Sequence, residues 1–415
     1  MRTLYITHNG LADYIGQSQV LPYLLGLANE GFAITVVSAE KFENASLRDG
    51  IRQKLVAAGI EWHFVSYHNR PPLISTVFDL WRMYRAVVRI VRGSPIALLH
   101  CRGFLTTYIG LIAKRRFTIP LIFDFRDFWP DRGIYSKRFK FVYRFFKRRE
   151  CGMVRDSDHV VTLTESAKKI LERECLGGQT RSVSERVTVI PTCVDVDLFD
   201  LSNLSAGARA EVRARLDLRA DDLVFGYLGT FHEDYIPTEM FRAFKILQSL
   251  DCASKCLVVS PNDKAEIFAY AKKCGVDAAS LRVVSAPRSE VPTLLSAFDL
   301  AVCFIRADRS TAGVFPTKLA ELFACNIPVL VNSGVGDLDE IVRPEVNDSV
   351  LVHDFSDESL KTAIQQLLGI VRSAGRRGRV ASMQFSLAEG VRRYHGVYSQ
   401  FVAPAGRSRP TRTFD

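Results

Sequence analysis

The chain has 415 residues, of which 47% are apolar and 24% are charged, and its net charge is +10. It is longer than one hydrophobic core usually spans, so we expect two domains of about 200 residues each. No uninterrupted apolar run reaches about 18 residues, and the first residues, MRTLYITHNG, contain no charged-then-apolar leader. These two features exclude a membrane-spanning protein and predict a cytoplasmic one.

The first half of the chain contains short apolar runs, and helical patterns lie between most of them. They predict strands at residues 4–7, 33–38, 60–65, 96–100, 120–125, 159–163 and 187–190. Alternation of short strands and helices is typical of a parallel doubly wound sheet. Such sheets bind ligands beyond the carboxyl ends of their strands.

The loop HNGLADYIG, residues 8–16, follows the first strand and precedes a helix predicted from about Ser18. A strand, a glycine loop and a helix in this order can cradle a phosphate, because Gly16 lets backbone N–H groups approach an anion. A loop of this kind without a ligand is the alternative. The Gly-x-Gly-x-x-Gly fingerprint of dinucleotide-binding proteins is absent.

Polar groups also follow the fourth and fifth predicted strands. Arg102 stands beside Gly103 and is a candidate for a substrate-facing group, whereas His100 closes its strand as a core histidine would. Asp124, Arg126 and Asp127 place two carboxylates around an arginine, an arrangement that can position an acceptor hydroxyl and shift protonation. An ion-paired loop without a catalytic role is the alternative.

Basic residues are concentrated in the first half, where residues 1–200 contain 29 Lys and Arg against 20 Asp and Glu. They are densest in residues 136–155, SKRFKFVYRFFKRRECGMVR, where cations alternate with aromatic rings. This pattern suits the surface of an anionic membrane. A solvated helix with its aromatics packed inward is the alternative, and no nucleic-acid-binding motif is present.

The nine cysteines are an odd number, and the closest pair, Cys252 and Cys256, lacks the Cys-x-x-Cys spacing of zinc or redox sites. We therefore expect mostly small, buried free thiols in a reducing compartment. No metal-ligand cluster is evident.

The second half repeats the strand and helix alternation after a polar segment at residues 201–222. Strands are predicted at residues 223–228, 255–259, 281–284, 301–305 and 327–331, and late helices at 357–368 and 386–401. The tail at residues 403–415, APAGRSRPTRTFD, has the composition of a disordered segment.

The segment Pro316-Thr317-Lys318-x-x-Glu321 is the strongest site candidate. Proline suits the first position of a helix, so Thr317 and Lys318 fall in its first turn, where free N–H groups and an ammonium could hold a phosphate. Glu321 lies one turn further on the same face and could bind a ribose diol. A solvated i,i+3 ion pair between Lys318 and Glu321 is the alternative.

This segment and the following residues 324–329, ACNIPV, resemble the donor-binding segment of family 4 glycosyltransferases, the retaining group with the GT-B fold. Residues 123–131, FDFRDFWPD, residues 10–22, GLADYIGQSQVLP, and residues 189–199 resemble other stretches of the same family. The resemblance implies two doubly wound Rossmann-like domains facing a cleft. It places an acceptor-side domain at 1–198, a donor-binding domain at 199–384, a helix crossing back to the first domain at 385–402, and a disordered tail from 403.

The resemblance also implies roles for individual residues. Glu321 is the ribose contact, whereas Gly313 occupies the position of the glutamate that usually touches the donor sugar. The family commonly has an arginine and a lysine for the pyrophosphate shortly after Gly229, and neither is present here. The implied donor contacts are Gly16, Gln17, Gly229, Thr230, Arg288, Phe315, Pro316, Thr317, Lys318 and Glu321. The implied catalytic residues are Arg102, Asp124, Arg126 and Asp127.

The function implied is retaining transfer of a hexose or N-acetylhexosamine from a UDP- or GDP-sugar, without metal, cofactor or protein nucleophile. The acceptor implied is lipid-linked or a polysaccharide, as in O-antigen or exopolysaccharide assembly at the inner face of the plasma membrane. Because of Gly313 and the missing basic pair, an inactive binding protein with the same fold is one alternative. A nicotinamide oxidoreductase is the other alternative, and it lacks its fingerprint.

Overall fold

The computed structural model describes residues 2–134, 139–178, 180–373 and 383–402. The described residues form two parallel sheets. The strands of the first sheet are β1 Arg2–Thr7, β2 Ala33–Glu40, β3 Glu61–Ser66, β4 Ile96–Arg102, β5 Leu121–Asp124, β6 His159–Thr162 and β7 Val187–Val189. The strands of the second are β8 Val224–Leu228, β9 Lys255–Val259, β10 Leu281–Val284, β11 Leu300–Cys303, β12 Val329–Asn332 and β13 Val350–Val352.

Helices connect these strands along the whole described chain. Those of the first half are α1 Tyr14–Gln19, α2 Leu21–Asn29, α3 Ala45–Ala57, α4 Ile74–Gly93, α5 Phe104–Phe117, α6 Trp129–Ile134, α7 Lys140–Asp156, α8 Glu165–Cys175 and α9 Arg181–Ser184. Those of the second half are α10 Ala208–Arg215, α11 Pro237–Leu250, α12 Lys264–Lys273, α13 Val291–Leu295, α14 Thr317–Ala324, α15 Leu338–Ile341, α16 Pro344–Asn347, α17 Asp357–Arg372 and α18 Leu387–Tyr398.

The chain divides into two compact units. Unit 1 contains Met1–Pro191, Ala312–Val314 and the segment from Leu387, and unit 2 contains Thr192–Thr311 and Phe315–Ser386. The first division falls a few residues before the domain boundary predicted at residue 198. The segment from Leu387 lies with unit 1, as the predicted crossing helix requires.

The sheet of unit 1 has the strand order β3-β2-β1-β4-β5-β6-β7. All strands are parallel, but the chain adds β2 and β3 on one side of β1 and β4 to β7 on the other. Right-handed crossovers therefore place α2 and α3 on one face of the sheet and α4, α5, α7 and α8 on the other. The inner strands are almost continuously buried because both faces are covered by helices, whereas the edge strands β3 and β7 are partly exposed. The core between sheet and helices is rich in phenylalanine, including Phe104, Phe123 and Phe125.

The sheet of unit 2 has the order β10-β9-β8-β11-β12-β13. Its reversal point lies between β8 and β11, so the loops that follow these two strands open side by side at the carboxyl edge. Phe225, Phe241 and Phe244 are completely buried in its core. The doubly wound architecture predicted for both halves is therefore confirmed.

Helix α18 packs against α2 within unit 1. Its Tyr398 is completely buried, and the Tyr398 hydroxyl lies 2.7 Å from Nδ1 of His100 at the end of β4. His100 is thus a core histidine that ties the last helix to the sheet. The predicted return of the C-terminal helix to the first domain is confirmed.

The structure differs locally from the sequence prediction. The strand β13 was not predicted from the sequence. Gly16 and Gln17 lie inside α1 rather than in the loop before a helix at Ser18, and Pro22 lies in the first turn of a second helix, α2. The disordered tail predicted from residue 403, and residues 136–138 of the basic segment, lie outside the described residues.

The cysteines differ from expectation at one pair. A disulfide joins Cys151 of α7 to Cys175 of α8. Seven cysteines are free, and five of these are buried as predicted: Cys101, Cys193, Cys256, Cys303 and Cys325. No described helix is long and apolar enough to cross a membrane.

Candidate functional site

The reversal point of the second sheet brings together the residues of the strongest sequence motif. Gly229 directly follows β8, with φ at +117°, a conformation that favours glycine. Lys318 belongs to α14, the helix that follows β11. A Cβ atom added to Gly229 would lie 3.6 Å from the Lys318 ammonium. The two segments that the sequence singled out separately therefore form one site in unit 2.

The ammonium of Lys318 is buried between two tyrosine rings. Its Nζ lies 4.5 Å from the ring centre of Tyr227 and 3.8 Å from that of Tyr235, and 3.4 Å from the Tyr227 hydroxyl. Cation–π contacts stabilise the charge where water is excluded. Burial nevertheless lowers the pKa of Lys318 to about 8. The lysine is held in place and carries its proton at neutral pH.

Glu321 lies one turn along α14 and is also buried. Its Oε1 accepts a hydrogen bond of 2.7 Å from the Arg288 guanidinium, which stacks 5.3 Å over the ring of Phe199. Burial raises the pKa of Glu321, and Arg288 opposes that rise. Glu321 and Lys318 thus have separate partners among the described residues, so the alternative of a solvated ion pair between them is wrong.

The residues that open α14 have different roles. Pro316 is the N-cap, with extended backbone, and Thr317 is the first helical residue, one position later than predicted. The Phe315 ring is buried and stacks on Phe385 at 4.5 Å between centroids. The donor contact predicted for Phe315 stays a prediction, and its side chain anchors the loop that precedes the helix start.

Gly313 is the residue that the sequence resemblance places where a glutamate is usual. A Cβ atom at this position would lie 3.2 Å from the Cα of Asp127 and 3.5 Å from the Phe128 ring, all within unit 1. The backbone of Asp127 thus fills space that a larger residue would need. The substitution by glycine matches its surroundings.

The glycine loop of unit 1 is organised by a buried carboxylate. Glu40, at the end of β2, accepts hydrogen bonds from the N–H groups of Leu11 at 2.6 Å and Ala12 at 3.2 Å, and from the Ser38 hydroxyl. These two N–H groups therefore bind Glu40 rather than a phosphate. The sequence predicted that backbone N–H groups of this loop approach an anion, and Glu40 accounts for the difference at Leu11 and Ala12.

Gly16 is required by the packing of the loop. A Cβ atom there would lie 2.0 Å from the carbonyl oxygen of Gly10 and 2.6 Å from the Cα of Leu11. The Gln17 amide donates to the carbonyl of Ala12 at 3.0 Å and closes the same turn. Both predicted donor residues thus build the loop.

We expect Gly16→Ala to lower the free energy of unfolding by about 1–3 kcal/mol, because the backbone of the loop must move to admit the methyl group. The matched control is Gly50→Ala within α3, where an added Cβ has no atom within 4 Å. That change should be neutral or stabilising by up to about 1 kcal/mol. Chemical denaturation of both variants measures the difference, and equal midpoints would contradict the packing role of Gly16.

The predicted catalytic cluster of unit 1 forms a buried network at the carboxyl edge of the sheet. Arg102 and Asp124 are register partners on β4 and β5. The Asp124 carboxylate lies 3.4 Å from Arg102, 3.2 Å from Arg126 and 3.7 Å from His100. Burial alone would raise the pKa of Asp124, but its cationic neighbours, Arg126 above all, hold that pKa well below its usual range. Both arginines also donate to the amide oxygen of Gln19, at 2.7 and 3.4 Å.

Asp127 differs from Asp124 in its surroundings. It is half-buried, and burial raises its pKa despite the opposing charges of Arg132 and Arg126. Asp124 is enclosed by cations, whereas Asp127 retains access to solvent. Of the two residues, Asp127 is the less buried one.

Several residues that contact the predicted site residues were not predicted from the sequence. Tyr227, Tyr235 and Phe199 surround Lys318 and Arg288, and Glu40 and Gln19 organise unit 1. The tyrosines lie close to the Gly229 loop in sequence, which is the only signal that could have suggested them. Glu40 ends an otherwise apolar strand, and a buried charge at such a place requires a partner.

Two parallel doubly wound units, with a basic helix start at the reversal point of the second sheet, define the GT-B class of glycosyltransferase folds. Family models agree: residues 17–193 match the glycosyl transferase 4-like domain and residues 208–373 match glycosyl transferases group 1. The chain belongs to the family 4 glycosyltransferases.

Solved structures establish the same fold. The chain is similar to Anabaena Alr3699/HepE in complex with UDP and glucose, with a TM-score of 0.70, 15% identity and coverage of 96% of this chain and 99% of that one. It is similar to sucrose-phosphate synthase from Thermosynechococcus elongatus, with a TM-score of 0.72, 17% identity and coverage of 96% of this chain and 99% of that one. It is also similar to WaaG, a glycosyltransferase involved in lipopolysaccharide biosynthesis, with a TM-score of 0.60, 15% identity and coverage of 97% of each chain. No curated protein matches the sequence.

Proposed function

We propose that this glycosyltransferase moves a hexose or N-acetylhexosamine from a UDP- or GDP-sugar to an acceptor, with retention of the anomeric configuration. The observation that carries this proposal is the pairing of buried Lys318 and Glu321 on one turn of α14, beside Gly229. A cation at a helix start suits a diphosphate, and a carboxylate one turn away suits a ribose diol. The complex of Anabaena Alr3699/HepE with UDP-glucose gives the same donor class in a similar fold.

In this proposal each residue of unit 2 has a distinct task. Lys318 and the N–H groups at the start of α14 hold the diphosphate and stabilise the negative charge that develops on the departing phosphate. Arg288 orients Glu321 toward the ribose hydroxyls. Gly229 and Thr230 shape the loop that faces the phosphates. The front-side reaction proposed for the family, in which the departing phosphate takes the acceptor proton, requires no protein nucleophile, metal or cofactor.

The acceptor side of the proposal rests on unit 1. Asp127 is a half-buried carboxylate with a raised pKa at the carboxyl edge of the sheet, where an acceptor hydroxyl could be positioned. Arg102, Asp124 and Arg126 support that edge as a buried network.

The proposed acceptor is lipid-linked or part of a surface polysaccharide such as O-antigen or exopolysaccharide, reached at the inner face of the plasma membrane. Helix α7 supports this with exposed Phe141 and Phe145 beside exposed Lys140, Arg144 and Arg148. Phe146 packs inward, so the aromatics of the segment divide between core and surface. Exposed rings among cations are typical of interfacial helices.

Thermal unfolding of the full chain with UDP, GDP, their sugar conjugates and NAD tests the donor site. Ligand at about 100 times its dissociation constant adds roughly 2.7 kcal/mol, a shift of a few degrees. We expect one nucleoside diphosphate to stabilise the wild-type protein and not Glu321→Ala. Stabilisation by NAD alone would instead favour an oxidoreductase.

An inactive binding protein is the second candidate, favoured by Gly313 and by the absence of the basic pair after Gly229. It predicts stabilisation by the nucleotide-sugar without release of free nucleoside diphosphate in the presence of any acceptor fraction. Turnover measured as release of the nucleoside diphosphate separates the two candidates.

A further inference from the structure

Helix α4 carries an exposed apolar surface that the transferase site does not use. Ile74, Val77, Phe78 and Trp81 are 70%, 66%, 48% and 49% exposed. Their spacing of i, i+3, i+4 and i+7 places them in one row on the outer face of the helix. We name these four residues the α4 stripe. The opposite face of α4 is buried in the core through Met83, Val87 and Ile90.

The charges that continue the same outer face are all positive. Arg85 and Arg89 follow the α4 stripe at helical spacing and are exposed. The Arg85 guanidinium lies 4.8 Å over the Trp81 ring, and Arg82 lies 5.8 Å over the Phe78 ring. Among the described residues, no carboxylate forms an ion pair with these arginines.

The sole acidic residue of the segment is turned inward. Between residues 70 and 93 the sequence contains five arginines and one acid, Asp79. Asp79 is completely buried, and its carboxylate binds the backbone N–H of His68 at 2.7 Å and the His68 ring at 2.6 Å. The surface of α4 is therefore apolar in its first half and purely cationic in its second.

We propose that the α4 stripe inserts into an anionic lipid surface while Arg82, Arg85 and Arg89 bind the headgroups. Apolar side chains beside cations of one sign match a bilayer with anionic headgroups, because that surface supplies both an apolar layer and negative charge. Arginines lying over aromatic rings keep their charged ends at headgroup level.

The position of α4 in unit 1 agrees with this partner. Helix α5 packs between α4 and α7, so the exposed rings of α4 and α7 belong to one helical layer. Helix α4 starts after β3, at the carboxyl edge of the sheet, and Asp127 follows β5 at the same edge. A lipid surface bound to this layer therefore lies beside the edge at which the lipid-linked acceptor is proposed to react. This part of the inference rests on the proposed function, whereas lipid binding does not.

The test uses the full chain with vesicles of phosphatidylcholine plus phosphatidylglycerol, and with phosphatidylcholine alone. Flotation measures binding, and tryptophan emission reports insertion. Trp62 is buried and Trp129 half-buried, so Trp81 is the exposed tryptophan of the chain. We expect binding to the anionic vesicles only, a blue shift of the emission, and release at high salt.

The stripe variant carries Ile74→Ser, Val77→Ser and Phe78→Ser and keeps Trp81 as the reporter. We expect it to bind the anionic vesicles about tenfold or more weakly and to lose the blue shift. The matched control carries Phe42→Ser and Val56→Ser, which are 90% and 69% exposed outside α4. It should bind as the wild-type protein does. A third variant, Arg148→Glu with Arg149→Glu, reports the contribution of α7.

Several outcomes would overturn the inference. One is equal binding by the stripe variant and the wild-type protein, even if the α7 variant binds less. Another is absence of vesicle binding by the wild-type protein, and a third is a wild-type dimer in solution that the stripe variant converts to a monomer. Stabilisation by the nucleoside diphosphate, measured on the same proteins, reports the donor site separately, so failure of one proposal is distinguishable from failure of the other.

Discussion

Replacing Lys318 with methionine should lower the rate of sugar transfer by about 100- to 1,000-fold, the range seen when one preorganised charge-stabilising group is removed from an active site. Methionine retains the apolar stem between Tyr227 and Tyr235, so the fold should survive. The family's arginine and lysine after Gly229 are absent, and Lys318 is therefore the principal side-chain cation of the proposed phosphate site. Turnover and nucleoside diphosphate affinity measure the effect.

Affinity for the nucleoside diphosphate should also depend on pH in the wild-type protein. Burial lowers the pKa of Lys318 to about 8, so the ammonium is intact at neutral pH and is lost above pH 8. The charged form binds phosphate, and the dissociation constant should therefore rise up to about tenfold per pH unit above this value. Folding stability responds in the opposite direction: the unfolded state binds more protons between pH 8 and 10.5, so stability rises with pH across that interval.

Two variants control for these effects. Lys318→Arg keeps its charge to high pH, so any affinity that it retains should lose the pH dependence. Lys361→Met removes an exposed lysine from α17 of the same unit and should leave turnover unchanged. Turnover by Lys318→Met at the wild-type rate would remove Lys318 from the site.

The sequence predicted the fold because buried parallel strands are continuous apolar runs, and such runs are visible without tertiary information. The motif around Lys318 and Glu321 was equally visible because both residues lie on one helical turn. Their contacts were not visible: Arg288 was named as a separate donor contact and Tyr227 was not named, and both meet α14 only in the folded unit. The sequence therefore singled out Lys318 and Glu321 as candidates, but it did not predict that tyrosine rings and an arginine surround them.

Asp124 and Asp127 also show the difference between what the sequence predicts and what only the fold reveals. Both stand beside Arg126 in a run of charges, and sequence alone gives them equal standing as candidates. The register of β4 with β5 decides between them, because it places Asp124 opposite Arg102 and inside the sheet edge. Asp127 has left the strand and remains half-buried. Strand pairing brings together residues that are far apart in the chain, and the sequence alone does not show which residues pair.

Asp124→Asn should lower the free energy of unfolding by about 3–5 kcal/mol, because it leaves two buried guanidinium groups without their carboxylate. Asp127→Asn should change stability by less than about 1 kcal/mol, because burial already disfavours the charge of that carboxyl. The two isosteric changes, three residues apart, are matched controls for each other. Denaturant unfolding measures stability, and transfer assays on both variants measure function.

Acid unfolding gives a second, independent measure of the Asp124 network. The pKa of Asp124 in the folded protein lies below its unfolded value of 3.8, so the unfolded state binds more protons between the two values. The stabilisation is fully present above about pH 5 and is lost as the pH falls through the folded pKa. The difference in stability between the wild-type protein and Asp124→Asn should therefore shrink toward low pH.

If Asp124→Asn is as stable as the wild-type protein but inactive, the carboxylate acts on the substrate and not as the centre of a buried ion-pair network. If Asp127→Asn transfers sugar at the wild-type rate, the acceptor contact lies elsewhere on unit 1.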